Sequence, residues 1–395
     1  MGLENTPVQS HGKGRARPNM LPSTNHTEIV PLASPVGEWL ELQHDALATV
    51  GRIIRSGAYI LGQEVTQFEK ALAAAIGVGN ATGAASGTDA LVLALLALNV
   101  GPGDEVITVS HTAGATVAAI RETGAVPVLV DVVEDTYCID PEHVTSALSP
   151  RTKAVLAVHL YGHPANLSAL QAELSERNIP IVEDCAQAQG ATVDGRQVGG
   201  LATVGCFSFY PTKNLGALGD GGAVVTNNSI LADRVRKLRT YGWERPQFCV
   251  LDKGKCSRLD ELQAALLSLK LPFLDRNIER RRYIAARYSE AFRNLPIAVP
   301  VERVGARHAY HLYVVRSEER DALEAYLAKA GIGTARHYPS PVHQQPGFAK
   351  VSRIGSSLSV TERIAGEILS LPIFPTMSEM QIERVIGAVT SFFDK

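Results

Sequence analysis

The sequence predicts an α/β protein built on a mostly parallel sheet between helices, followed by a smaller α+β part. Three observations predict it. From Leu72 onward, short β-branched runs alternate with helical apolar patterns, the order that builds parallel sheets. The runs are apolar at nearly every position, as strands covered on both faces are. After Ser257 the alternation gives way to one long helical stretch whose apolar residues recur at three and four, as in a helix connecting two domains.

In chain order, residues 1–28 are polar, rich in Pro, Ser, Thr and Asn, and without the apolar core of a secretory signal, so they read as a disordered tail. Strands are expected at Glu105–Val109, Val126–Val130, Ala154–Val158, Ile179–Val182, Val204–Ser208 and Gly222–Thr226. Helices are expected between them at Thr88–Leu98, Thr116–Thr123, Leu167–Arg177 and Leu231–Tyr241, most opened by a turn or capping residue. Pro102-Gly103-Asp104 reads as a tight turn. The long helical stretch runs from Leu259 to Phe292. Beyond it come a strand-like Ala309–Arg316, a helix Arg320–Ala330, a Pro/His-rich loop and a last helix Met380–Phe393. The division expected is a tail at 1–28, a large domain with an N-terminal arm at 29–258, and a connecting helix plus small C-terminal domain at 259–395.

Composition removes several function classes. The 395 residues are 45% hydrophobic and 20% charged with a formal net charge of -2, which supplies no field for nucleic acid or anionic lipid. The longest apolar stretch, Ala90–Val100, is about half the ~20 residues that cross a bilayer. The five cysteines are scattered, with no CxxC pair or zinc-ligand spacing, so a reducing cytoplasm and no metal site are expected.

Three segments carry candidate chemistry. In Phe207–Leu215, Lys213 follows a buried strand and aromatic residues and precedes a glycine turn, Gly219–Gly222. Desolvation there disfavours the ammonium form and makes the amine a nucleophile; an ordinary loop lysine is the other reading. Asp184 belongs to a carboxylate pair, Glu183-Asp184, at the end of the apolar strand Ile179–Val182, and ligands of open α/β sheets bind at the carboxyl ends of strands; a helix cap is the alternative. Ser86-Gly87-Thr88 opens an apolar helix, where free N–H groups suit a phosphate and a capping serine reads identically.

Taken together in this order, with RSGAYILGQEVTQFEKALA, GPGDEVITVSHT, VHLYGHPANL, EDCAQAQGA, GCFSFYPTKNLGALGDGGAVVT, CSRLDELQAALL, YHLYVVR and HYPSPVH, the segments resemble the DegT/DnrJ-type sugar aminotransferases from about residue 30 to the end. That family has the pyridoxal phosphate-dependent transferase fold of type I, which implies a seven-stranded sheet. The resemblance makes Lys213 the catalytic lysine carrying pyridoxal 5'-phosphate as an internal aldimine, with pyridoxamine phosphate as the alternate form. It places Asp184 on the pyridine nitrogen and Gln187 near the phenolic oxygen. Ser208, Gly87, Thr88 and Ser86 would hold the phosphate, and His111 would stack on the ring. His337, Tyr338 and His343 match a segment that lies over the substrate, with aromatic packing as the alternative. Arg258 falls on the cofactor side, with a surface ion pair as its alternative. Cys256 stands where an asparagine usually reaches across a dimer, and Gln189 where a histidine is common.

The activity implied is transfer of an amino group from L-glutamate to a nucleotide-linked keto-sugar by a cytoplasmic homodimer with shared active sites, in amino-sugar biosynthesis. The FYPTKNLGALGDGGA form resembles members acting on dTDP- or UDP-linked 3-keto sugars. A 4-keto sugar or an inosose stays open. The related dehydratases carry histidine in place of Lys213, and a non-catalytic sensor would not need all three segments.

Overall fold

The computed structural model describes residues 29–394, so the tail expected at 1–28 lies outside the described residues. The large sheet comprises β1 (Asn80–Ala84), β2 (Glu105–Val109), β3 (Val126–Val130), β4 (Thr152–Val158), β5 (Ile181–Asp184), β6 (Val204–Ser208), β7 (Gly222–Thr226) and β8 (Arg353–Ile354). Their spatial order is β1-β7-β6-β5-β4-β2-β3-β8. Every neighbouring pair is parallel except the two made by β7. The fold class stands as expected.

The strand count does not. Eight strands replace seven, because the two residues of β8, from the C-terminal part of the chain, pair with Val128 and Leu129 at the edge beyond β3. Strand β1 escapes sequence reading because Asn-Ala-Thr-Gly-Ala lacks a β-branched apolar core; it forms at the other edge by full antiparallel pairing with β7. The Leu259–Phe292 stretch is two helices, Glu261–Lys270 and Leu274–Phe292, joined by the tight turn Leu271–Phe273. Pro272 explains the break, since it has no N–H for the helix ladder and crowds the preceding turn. Only Tyr313–Arg316 of the expected Ala309–Arg316 strand is extended; Tyr310 takes a left-handed φ of 45° and turns the chain before it. The helix Ser359–Glu367 and strand Ile368–Leu371 were not foreseen.

Two cores pack against the sheet, one around the helix Gly87–Ala97, buried from Ala90 onward, and one around Phe68, Phe207 and Phe209. A third gathers Tyr288, Tyr313, Phe292 and the last helix, Glu379–Phe393, and takes in Val30. Asp131, just past β3, ties this region to the sheet. Its carboxylate accepts the N–H groups of Val360 and Thr361 at 2.9 and 2.8 Å and the Thr361 hydroxyl at 2.7 Å, while Arg353 reaches Glu105 at 3.0 Å. Among the described residues no helix is long and apolar enough to cross a membrane.

Candidate active site

Parallel pairing lines up strand ends, and the reversal of β7 sets where the chain turns back. Strands β1, β2, β4, β5 and β6 all finish at one edge of the sheet, so the segments after them converge there. The return from β6 to β7 is the loop 209–221, closed at its base by Phe209 N–H to the Gly221 carbonyl at 2.8 Å. Lys213 sits in that loop. At this edge a cavity of about 250 Å³ is lined by Lys213, Asp184, Gln187, Ser208, Tyr338 and the Ser86-Gly87-Thr88 turn.

Burial lowers the Lys213 pKa to about 8, although the nearby Asp184 charge pulls it upward. The same burial raises the pKa of Asp184, which the Lys213 charge partly opposes. The Asp184 carboxylate takes the Ala186 N–H at 3.1 Å and the Thr116 hydroxyl at 3.3 Å. Its neighbour Glu183 points elsewhere: its oxygens accept from Gly199, Leu201 and Ala202 N–H at 2.8, 2.9 and 2.8 Å and from His159 Nε2 at 3.1 Å. Of the carboxylate pair, then, only Asp184 faces the cavity. The cluster His159, Glu183 and Cys185 offers metal-ligand atoms within 4.8 Å, but these bonds already occupy the Glu183 oxygens, and His159 Nδ1 accepts the Ala165 N–H at 2.9 Å.

At the other end of the cavity, the helix Gly87–Ala97 begins, and its first amides have no partner within the helix. Ser86 Oγ caps it by accepting Asp89 N–H at 3.1 Å, so the capping reading of Ser86 holds. Ser208 Oγ accepts the Tyr210 N–H at 3.3 Å and keeps its own proton to donate. Gly87 is needed for this closeness: a Cβ there would lie 2.5 Å from Ser208 Cβ. A small anion fits this cradle, and a cationic ring nitrogen fits the buried Asp184 carboxylate. The donor set therefore suits a phosphorylated pyridine.

These residues close one site with the architecture of an aminotransferase, and a model of the DegT/DnrJ/EryC1/StrS aminotransferase family matches residues 41–390. The chain belongs to that family. One relative of this DegT-family chain, the dTDP-3-amino-3,4,6-trideoxy-alpha-D-glucose transaminase of Streptomyces venezuelae, is 45% identical over 375 residues, 94% of this chain and 98% of the relative. The erythromycin biosynthesis sensory transduction protein EryC1 of Saccharopolyspora erythraea is 45% identical over 361 residues, covering 91% and 98%. The crystal structure of S. venezuelae DesV in complex with a ketimine intermediate superposes with a TM-score of 0.90 at 44% identity, over 93% of this chain and 99% of that one.

Several residues that the DegT-family resemblance brought forward lie off the cavity. His111 is fully buried behind the wall, bonded through Nε2 to the Tyr161 hydroxyl at 2.7 Å; Thr112 and Ala113 line that edge in its place. His343 is tied to Ser110 Oγ at 2.6 Å and Glu362 at 3.1 Å, which turns both ring nitrogens away from a substrate role. His337 bonds Ser370 Oγ at 2.8 Å, and the burial that lowers its pKa is reinforced by the Lys213 charge. Arg258 donates to Cys256 Sγ at 3.1 Å and does not line the cavity. Gln189 donates to the Ser208 carbonyl at 2.5 Å, which gives it a part in holding the phosphate cradle. Sequence reading missed Thr116, Tyr210 and Asp220 at the cavity; Asp220 lies within a motif already singled out, and nothing in the sequence marks Thr116.

Proposed function

We propose that the chain is a pyridoxal 5'-phosphate-dependent aminotransferase that moves an amino group from L-glutamate to a dTDP- or UDP-linked 3-keto sugar. The observation that carries this reading is the placement of Lys213 and Asp184 on one cavity with a phosphate cradle at its other end. Pyridoxal phosphate supplies an aldehyde for an amine to join and a ring that draws electrons from the adjacent carbon, so that its proton can leave. Lys213, neutral above pH about 8, is the group that holds the cofactor and then moves that proton between carbons. Asp184 would hold a positive charge on the ring nitrogen through its carboxylate, and that opposite charge would offset the burial that otherwise favours its neutral form. Gln187 and Tyr338 form the wall facing the reacting end, and Ser208 with the Gly87 and Thr88 amides anchors the phosphate.

The preference for a 3-keto sugar rests on the lysine segment and on the Streptomyces relative named for a dTDP-linked 3-amino sugar. The regulatory word in the EryC1 name gains no support from the site, whose nucleophile and buried acid are both in place. A homodimer is part of the reading: Ile54, Tyr59, Ile60, Leu61, Leu218 and the cavity residue Tyr210 are large, apolar and exposed, and a second copy would cover them. By sequence we assign 29–258 to the large domain and 259–395 to the small one, in the cytoplasm.

The test is an absorption spectrum of the purified protein, first with L-glutamate alone and then with keto-sugar. A visible band that bleaches with glutamate and returns with a nucleotide-linked 3-keto sugar is the expected result. No band after added pyridoxal phosphate would overturn the reading.

A further inference from the structure

The cavity wall made by Tyr338 is anchored by a residue that none of these roles uses. Tyr161 lies in the turn Leu160–Gly162 after β4, is only 2% exposed, and holds a left-handed φ of 59°. A non-glycine residue is rarely kept there unless its surroundings require it. Besides the Leu312 N–H on its carbonyl at 3.2 Å, three hydrogen bonds do so. The Tyr161 N–H donates to Gln187 Oε1 at 2.7 Å. The hydroxyl donates to the His337 carbonyl and takes a bond from His111 Nε2 at 2.7 Å. A phenol has one proton, so with that proton on the carbonyl, His111 must be the donor through Nε2–H. Gln187 Nε2 in turn donates to the Tyr338 hydroxyl at 3.0 Å. A closed ring of contacts thus runs from Tyr161 through Gln187 to Tyr338 and back through His337.

We propose that Tyr161 is a positioning residue whose hydroxyl fixes the His337–Tyr338 segment, so that the Tyr338 hydroxyl, already accepting from Gln187, presents its own proton to the sugar acceptor. The inference rests on the aminotransferase reading and adds the residue that sets acceptor fit. Removing the hydroxyl leaves the His337 carbonyl and the His111 N–H without partners and lets the segment shift. The bond from the Tyr161 N–H to Gln187 and the placement of Lys213 and Asp184 do not use that hydroxyl, so the glutamate half-reaction is left alone.

The experiment compares wild type with Tyr161→Phe in the two half-reactions followed separately by absorbance. The expected result is an unchanged glutamate phase with the sugar KM raised roughly 10- to 100-fold, the scale of a displacement near 1 Å at a reacting group. A structure of the cofactor-free variant should show the Tyr338 hydroxyl withdrawn from Gln187. Equal loss in both phases, or wild-type behaviour in both, overturns the proposal. A wild type that ignores glutamate would instead fail the aminotransferase reading, and the inference would fall with it. Should Tyr161→Phe not fold, His111→Gln, which still donates to the phenol, should keep the sugar KM, while His111→Leu raises it; equal values overturn the proposal.

Discussion

Lys213 can act as nucleophile only when it has shed its proton, and burial brings that event to about pH 8. The rate at which cofactor-free protein combines with pyridoxal phosphate should therefore climb from pH 6.5, where the amine is mostly charged, through a midpoint near pH 8 and level off about one pH unit higher. A stopped-flow pH series that stays flat would show that burial does not set the amine. Lys213→Ala should abolish both half-reactions, and any retained turnover would place the chemistry elsewhere. Asp184→Ala should cost activity far more than stability, because its carboxylate makes only two hydrogen bonds and serves the ring nitrogen; an equal fall in melting temperature and rate would return it to the status of a cap. Both residues were legible in the sequence, since each follows an apolar strand and the strand ends converge. His343 and Arg258 were misplaced because their partners, Ser110 and Cys256, are set by tertiary packing that no spacing shows.

Among the elements, the strand runs β2, β3, β6 and β7 were read to the residue, since fully covered strands are apolar at nearly every position. What sequence could not show were the pieces held by pairing alone: β1, with no apolar core, and the two residues of β8. The helix Gly87–Ala97 yields a sharp expectation. Gly87→Ala would drive a Cβ against Ser208, so pyridoxal phosphate affinity should fall at least tenfold while the fold is kept; unchanged affinity, measured by fluorescence titration, would remove the cradle from that turn. The helix Pro35–Glu41 is a second case. Its buried Glu38 pairs with buried Lys270 at 2.8 Å, and Lys270 donates to the Gly216 carbonyl in the Lys213 loop at 3.1 Å. Glu38→Gln strands that ammonium and should lower unfolding free energy by about 3–5 kcal/mol. Trp39, whose ring faces the Lys270 ammonium at 4.9 Å, offers a fluorescence report of the change.

At the scale of the whole molecule, the site forms where five strand ends meet, and a second copy is proposed to complete it. Light scattering should give twice the 42.3 kDa chain mass, and a charge placed at the exposed apolar Ile54, Ile54→Asp, should yield monomers with little turnover; a fully active monomer would sink the shared-site picture. Asp131 and β8 carry a different implication. With the Val360 and Thr361 amides bonded to the one side chain of Asp131 just past β3, the C-terminal region is sutured to the sheet and cannot swing away as a rigid body without breaking those bonds. Admission of a bulky sugar nucleotide by such a swing would cost those bonds, so slow hydrogen exchange at the Val360 and Thr361 amides should persist during turnover, and fast exchange would show that the suture opens.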